Sequence, residues 1–172
     1  MRRINNSILL ILILASCSTG KPETALKDST IVIPGKTAEG FSLNETSSMP
    51  GNNSQIKNPS MPTPLSDLIR SDAIPEIEFN RIIYSRNRHI VFINNGVVTA
   101  IAGLNPVNRV TDEAVKFTDG VENFIINYGN EGLKIVTEGE HKVYIYRELG
   151  IAIFDDYGDD RIDMYLVFPP GR

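Results

Sequence analysis

The chain has 172 residues, with 17 lysines and arginines against 21 aspartates and glutamates, and a net charge of −4. The two signs are dispersed and no basic cluster could follow a phosphate backbone, so we expect no nucleic-acid partner. The single cysteine excludes a disulfide within the chain.

The first 17 residues combine a basic start, an apolar run and the only cysteine. Arg2 and Arg3 precede Ile8 to Ala15, a run too short to span a bilayer but typical of a signal-peptide core. Leu14-Ala15-Ser16-Cys17 resembles a lipobox, the motif of bacterial lipoproteins whose cysteine is acylated and becomes the mature N-terminus. The resemblance implies that Cys17 is lipidated and that no thiolate remains for metal binding or nucleophilic catalysis. A plain secretory signal cleaved nearby and an uncleaved anchor helix are the alternatives.

An acylated Cys17 would place everything that follows outside the cytoplasm. Several acyl chains would hold the protein at a bilayer surface, because each buried methylene contributes about 0.8 kcal/mol. Ser18 in place of an aspartate after the cysteine resembles the signal for outer-membrane delivery. We therefore expect a bacterial cell-envelope protein, anchored in the outer membrane on its periplasmic or surface face. The polar residues 18–29 predict a flexible spacer.

The first folded segment is expected over residues 30–105. Thr30 to Ile33 predicts a short strand that ends at Pro34-Gly35, and the Asn-, Ser- and Pro-rich stretch from Ser42 to Pro64 predicts a long loop. A short helix is expected from Pro64 to Ala73 because Pro75 must end it.

Three strands are expected after that helix, at Glu78 to Ser85, His89 to Ile93 and Val97 to Ala102. Asn94-Asn95-Gly96 between the last two is the clearest hairpin signal in the chain, since the turn needs positive φ.

The second folded segment is expected over residues 106–172. Thr111 to Phe117 predicts an approach strand, and Asp119 with Glu122 predicts a helix N-terminus. The helix should end at Gly129, because Val121, Phe124, Ile125 and Tyr128 have helical spacing up to that point. Three strands then follow, at Lys142 to Arg147, Ile151 to Asp155 and Arg161 to Phe168. In the last of these, Ile162, Met164, Leu166 and Phe168 alternate with Asp163, Tyr165 and Val167, so one face is continuously apolar and suits the core.

The two segments suggest an internal duplication. Each has an approach strand, a small helix and a three-stranded meander, which predicts an α+β fold with two tandem α-β-β-β repeats. The repeats would join into one antiparallel sheet with short helices packed on one face. The pattern resembles small outer-membrane-assembly lipoproteins (SmpA/OmlA-like) and the layout of β-lactamase inhibitory proteins, and it is carried by Thr111 to Val115, Asp119 to Gly129, Tyr144-Ile145-Tyr146, Gly150 to Phe154 and Val167-Phe168-Pro169. The resemblance implies a non-catalytic binding protein.

Few residue patterns point to chemistry. Asp155, Asp156, Asp159 and Asp160 crowd one turn and are weak candidates for a calcium site, since their spacing is not that of an EF-hand. His89 and His141 have no partner motif and are expected to be ordinary strand-edge histidines. We therefore expect no enzyme activity and no cofactor.

The tyrosines are the candidate binding residues. Tyrosine buries much area at a small cost in entropy, so an exposed set would suit recognition. The candidates are Tyr84, Tyr144, Tyr146, Tyr157 and Tyr165. Either they form an outward face of the sheet, or they cover a second core. The expected partners are the membrane, through the lipid anchor, and another envelope or extracellular protein. The alternatives are a structural or assembly role in the envelope, and a calcium-binding or hydrolytic protein that uses the Asp155–Asp160 turn.

Overall fold

Runs of β-branched and aromatic residues form most of the regular structure. A computed structural model describes residues 30–47, 54–59, 63–65, 74, 76–85 and 88–171. The strands in chain order are β1 (Ile31–Val32), β2 (Thr37–Ala38), β3 (Phe41–Ser42), β4 (Ser54–Lys57), β5 (Thr63–Pro64), β6 (Glu78–Phe79), β7 (Arg81–Ser85), β8 (His89–Asn94), β9 (Val97–Leu104), β10 (Val110–Thr111), β11 (Leu133–Glu138), β12 (His141–Tyr146), β13 (Ile151–Asp155) and β14 (Met164–Val167). A 3₁₀ turn (Phe117–Asp119) leads into helix α1 (Gly120–Tyr128).

Eight strands form one sheet in the order β11-β12-β13-β14-β9-β8-β7-β4. All neighbours are antiparallel, and the two meanders meet where β14 pairs with β9, with Leu166 opposite Ala102. Three two-stranded pairs flank this sheet: β1 with β10, β2 with β3, and β5 with β6. The antiparallel β2–β3 pair is the one that carries the site described below.

The predicted α+β fold with two tandem α-β-β-β repeats is wrong. Strands dominate the structure. The described residues contain one long helical segment, which is the 3₁₀ turn followed by α1, rather than one helix for each repeat. The second meander has four strands rather than three, because β11 precedes β12. The sequence suggested a duplication because two meanders share alternating apolar patterns, and such patterns specify strands without specifying a helix in front of each set.

Both faces of the sheet are buried, which contradicts a fold with one covered face. One core holds the tyrosines of β12 and β14, the apolar residues of α1, and Val32, Ala38 and Leu43 from the N-terminal segment. The other core lies on the opposite face, where Leu65, Ile74, Ile77 and Phe79 pack against Phe92, Ala100, Leu166 and Phe168. Met164, Leu166 and Phe168 share this second core, as their alternation predicts. Tyr165 and Val167 between them are buried in the first core, so β14 is covered on both faces.

Two local predictions are confirmed. Asn95 and Gly96 have φ values of 50° and 84°, as a two-residue hairpin turn between β8 and β9 requires. Helix α1 ends at Tyr128, and Gly129 with a φ of 78° donates its N–H to the carbonyl of Ile125.

Several predicted segments differ from the structure or lie outside the described residues. The stretch predicted as a loop contains β4, which pairs with β7 at the sheet edge. Pro64 lies in β5, opposite Glu78, and the rest of the predicted Pro64–Ala73 helix falls mainly on residues that are not described. The expected signal (1–17) and spacer (18–29) also lie outside the described residues.

Candidate functional site

A pocket of about 360 Å³ opens where the β2–β3 hairpin meets the ends of β8 and β9. Its wall is formed largely by the loop that follows β9, and both acidic and basic side chains line it. The lining residues are Glu39, Arg88, Leu104, Asn105, Pro106, Val107, Asn108 and Arg109.

Glu39 forms the base of this pocket. It lies with Gly40 in the tight turn between β2 and β3, where both residues have positive φ (55° and 80°). This two-residue turn points the Glu39 side chain inward, and the residue is 7% exposed. An ionised carboxylate at this depth needs a counter-charge and hydrogen bonds to offset its desolvation.

Arg109 and Tyr165 satisfy the Glu39 carboxylate. The Nε of Arg109 donates to Oε1 at 2.5 Å and its Nη2 donates to Oε2 at 2.6 Å, which makes a two-pronged ion pair. The hydroxyl of Tyr165 also donates to Oε1, at 2.5 Å. Three segments far apart in sequence are therefore joined at one carboxylate.

The charges around Glu39 fix the protonation states of its neighbours. The hydrogen bonds that Arg109 donates to Glu39 raise the pKa of Arg109 further above its usual value. Burial, followed by the nearby Glu39 charge, raises the pKa of Tyr165. Both groups therefore keep their protons at any physiological pH, and both remain donors to Glu39.

His89 lies beside the same carboxylate without bonding to it. Its Nδ1 is 3.6 Å from Oε2 of Glu39, and this buried atom has no hydrogen-bond partner among the described residues. Burial lowers the pKa of His89, the Glu39 charge opposes that effect and Arg109 reinforces it. The imidazole is therefore neutral at pH 7, and the contact with Glu39 is not an ion pair there.

Gly103 makes room for this arrangement. It pairs with Tyr165 across β9 and β14 and with His89 across β9 and β8. A Cβ at Gly103 would overlap the Tyr165 ring, so glycine at this position lets the ring pass over β9 and reach Glu39.

The pocket concentrates unusual backbone conformations. Glu39, Arg88 and Asn105 all have positive φ, at 55°, 64° and 50°, although none of them is glycine. Such conformations cost of order 1 kcal/mol or more and persist where the surrounding structure holds them, which is common at functional sites. The hydrogen bond from the Leu104 N–H to the Arg88 carbonyl, at 2.7 Å, is one such restraint.

A second pocket of about 250 Å³ lies on the other side of the same loop. Both pockets are lined by Asn105, Pro106 and Val107, which therefore form a ridge between them. The second pocket adds Phe117, Thr118, Arg161 and Ile162. The Arg161 side chain is 81% exposed and its Nε lies 3.5 Å from Oδ2 of Asp159. We call the two pockets and the Asn105–Val107 ridge the ridge surface.

Three of the five candidate tyrosines lie in a core, which is the second of the two arrangements that the sequence left open. Tyr144, Tyr146 and Tyr165 are 9%, 2% and 0% exposed, because α1 covers the sheet face that carries them. Tyr146 donates its hydroxyl to the carbonyl of Gly129, and burial raises the pKa of Tyr146 to about 12. Of the remaining candidates, Tyr157 is 70% exposed in a turn and Tyr84 is half-buried beside Lys57.

The acidic turn is occupied by local structure. Asp155 is 1% exposed and accepts hydrogen bonds from the backbone N–H groups of Gly158, Asp159 and Asp160. Asp163 accepts one from the N–H of Asp156.

The other carboxylates of this turn are also engaged. Asp160 bonds the first turn of α1: its Oδ1 accepts from the Glu122 N–H at 2.8 Å, and its carbonyl accepts from the Val121 N–H. Asp156 lies 3.5 Å from the exposed His141. Asp155, Asp159 and Asp163 each have a carboxylate oxygen within 4.8 Å of the others, which is close enough for the three to hold a cation together. Each of the three also accepts a hydrogen bond from a backbone N–H.

Sequence reasoning missed Glu39 and Arg109, and it named Tyr165 as a binding-face candidate without any link to a buried carboxylate. Glu39 lies 70 residues from Arg109 and 126 from Tyr165, and neither separation belongs to a recognised motif. His89 was expected to be an ordinary strand-edge histidine, whereas it is the group beside the buried carboxylate.

Comparison with protein-family models, with curated protein sequences and with solved structures gives no match. Among the described residues, no helix is long and apolar enough to cross a membrane.

Proposed function

We propose that this chain is a lipid-anchored cell-envelope lipoprotein that acts as a non-catalytic protein-binding module, and that it binds through the ridge surface. The observation that carries the proposal is a partly apolar concave surface built over a partly buried ion pair between Glu39 and Arg109. Its anchor would be Cys17, in the sequence that resembles a lipobox.

The apolar residues of the ridge surface support a protein partner. Leu104 and Val107 are 38% and 59% exposed, and both line the pocket that Arg88 and Arg109 also line. Exposed aliphatic side chains next to arginines are typical of protein-binding surfaces, whose centres are apolar and enriched in arginine.

The Glu39 cluster supports binding rather than turnover. A general base must be free to accept a proton, yet the Glu39 carboxylate already accepts from Arg109 and Tyr165. His89 is neutral, but its Nδ1 is buried against Glu39 rather than open to the pocket. The cluster suits a scaffold that holds the pocket in shape.

A photo-crosslinking experiment on intact envelopes tests the binding surface. A photoreactive amino acid in place of Val107 should capture a protein partner, whereas the same residue in place of Ile135 should not. Ile135 is a matched control because it is 52% exposed but lies on β11, with three strands between β11 and β9. Capture at Ile135 alone would move the binding surface to the sheet edge, and capture at neither position would contradict the proposal.

Mass spectrometry and fractionation test the anchor. The mature protein should begin at an acylated Cys17 and be recovered with membranes, and Cys17→Ala should release it from them. If Cys17 were unmodified and the protein soluble in the cytosol, the proposed location in the cell envelope would be contradicted. The proposed role in binding an envelope protein would be contradicted with it.

A further inference from the structure

We propose that the Arg88 side of the ridge surface recognises a carboxylate of the partner protein, presented by an acidic side chain or by a chain terminus. The inference rests on the proposed function and deepens it by naming the chemical group that the pocket binds.

The charges of the pocket lining leave one cation without a counter-charge. The Arg109 guanidinium is held by Glu39 through two hydrogen bonds, so these two charges cancel. Arg88 is exposed, and none of the described residues places an acidic group within ion-pair distance of it. One unpaired guanidinium on the wall of a concave site is a ready partner for a carboxylate, whose two oxygens match its planar fork.

The rest of the pocket suits an acidic amino acid. Asn105 and Asn108 bring amide groups to the wall, and Leu104 and Val107 bring aliphatic carbons. An aspartate or glutamate side chain likewise has an apolar part and a polar part, since its methylene groups lead to a carboxylate. The pocket volume of about 360 Å³ admits such a side chain without any rearrangement.

The backbone of Arg88 is fixed before any partner binds. Its N–H donates to the carbonyl of Ser85 at 3.1 Å, and its own carbonyl accepts from the N–H of Leu104 at 2.7 Å. Its φ of 64° turns the chain at the rim of the pocket. Because this backbone is ordered in advance, binding needs to order the side chain of Arg88 but not its backbone.

The net charge of the lining residues also favours a ligand group that carries a single negative charge. A net charge of one positive unit on the lining balances one carboxylate, whereas the Glu39 carboxylate at the base would oppose a doubly charged phosphate. The surrounding protein carries a net charge of −4, so the pocket stands out as a local positive site.

A titration with matched peptides tests the inference. The full chain in detergent micelles, labelled with ¹⁵N in its arginine side chains, is titrated with a glutamate decamer and with a glutamine decamer. The glutamate peptide should bind saturably, shift the Arg88 side-chain signal and lose affinity as salt is added, because a partly exposed ion pair is screened. The glutamine peptide should bind at least about tenfold more weakly, as expected when a charge-assisted bond is lost.

Two variants separate Arg88 from general charge. Arg88→Gln should weaken the glutamate peptide about tenfold. Arg81→Gln should leave its affinity unchanged, because Arg81 is an exposed arginine on β7 that does not line the pocket. Equal effects of the two variants, or equal binding of the two peptides, would overturn the inference. Succinate distinguishes a small carboxylate from a protein segment: full competition at millimolar succinate would assign the pocket to small acids and overturn it.

The same variant separates this inference from the proposed function. If crosslinking at Val107 keeps its full yield in Arg88→Gln, the ridge surface still binds protein and the carboxylate assignment is wrong. If the yield falls in Arg88→Gln and not in Arg81→Gln, the assignment is supported. If Val107 captures no protein in the unaltered chain, the proposed function itself fails.

Discussion

The Glu39 carboxylate holds together groups from three distant parts of the chain, and its charge matters more than its size. Glu39→Gln keeps the shape but leaves the partly buried Arg109 guanidinium without a counter-charge, which is costly. We expect a loss of about 2 to 3 kcal/mol in the free energy of unfolding, which is at or below the lower end of the roughly 3 to 5 kcal/mol usual for a broken buried pair, because Arg109 is partly exposed. Urea denaturation measures the loss.

The exposed Glu78 provides the control for that substitution. Glu78→Gln should change stability by no more than about 0.5 kcal/mol, as is usual for surface positions. In a double-mutant cycle, Glu39→Gln with Arg109→Gln should cost less than the sum of the two single changes. Additive losses would show that the two side chains do not stabilise each other.

His89 should make stability depend on pH below neutrality. Burial holds the pKa of folded His89 below 6.5, the value for an unperturbed histidine. As the pH falls through 6.5, the unfolded chain therefore binds a proton that the folded chain does not, and stability decreases. Above 6.5 neither state is protonated at this residue and the effect disappears.

The two histidines form a matched pair for this test. The free energy of unfolding is measured at pH 7.5 and pH 5.5, and the difference is compared between variants. His89→Gln should reduce the pH-dependent loss, whereas His141→Gln should keep it, because the His141 side chain is 64% exposed. An unchanged loss in His89→Gln would assign the pH dependence to other groups.

These residues also show where sequence reasoning ends. The Asn95-Gly96 turn is encoded by two adjacent residues, so it could be predicted. The Glu39 cluster needs Gly103 to be small, Tyr165 to face α1 and a short hairpin to point inward, and each of these conditions depends on the tertiary fold. Tyr144 and Tyr146 alternate correctly along β12, but the sequence does not say that α1 covers their face.

At the scale of elements, α1 is capped by a residue that lies far away in the chain. The sequence places Asp119 at the N-terminus of the helix, yet its side chain makes no capping hydrogen bond. Asp160 supplies that bond instead, from the acidic turn before β14. One of the aspartates of this turn therefore has a structural role, because it caps α1.

Substitutions at these two aspartates should have unequal effects. Asp160→Ala should lower the free energy of unfolding by about 1 kcal/mol, the usual cost of losing an N-terminal cap. Asp119→Ala should change it by less than about 0.5 kcal/mol. Asp160→Asn should retain most of the stability, since its amide oxygen can still accept from Glu122. Thermal denaturation compares the three, and an Asp119→Ala loss as large as that of Asp160→Ala would contradict the distant cap.

The strands that could be predicted from the sequence are more buried than the edge strand β11, which was not predicted. Half or more of the residues in each of β8, β9 and β13 are buried, and these strands carry apolar runs rich in isoleucine and valine, so their sequences indicate them directly. Strand β11 is an edge strand with exposed Lys134, Ile135, Thr137 and Glu138, and neither alternation nor a continuous apolar run marks it. The place of β14 beside β9 is a non-local pairing that no local pattern encodes.

At the scale of the whole molecule, the two cores share the strands that separate them. Residues of β14 alternate between the cores, with Tyr165 in the core that α1 covers and Leu166 in the core of Leu65 and Phe79. Neither core can lose its packing without exposing strands that the other core needs. The protein should therefore unfold in one cooperative step rather than as two repeats.

Phe92 lets this cooperativity be measured. Phe92 is 1% exposed and belongs to the core of Leu65 and Phe79, whereas Tyr144, Tyr146 and Tyr165 belong to the core that α1 covers. Phe92→Ala should cost about 3 to 5 kcal/mol. It should shift the near-UV circular dichroism of the tyrosines and the far-UV signal of the sheet to the same lower urea midpoint. Tyr157→Ala, at a 70% exposed residue, should shift neither. If the tyrosine signal kept its midpoint in Phe92→Ala while the sheet signal moved, the cores would be independent, and the ridge surface, which depends on β8, β9 and β14 together, would lose its common support.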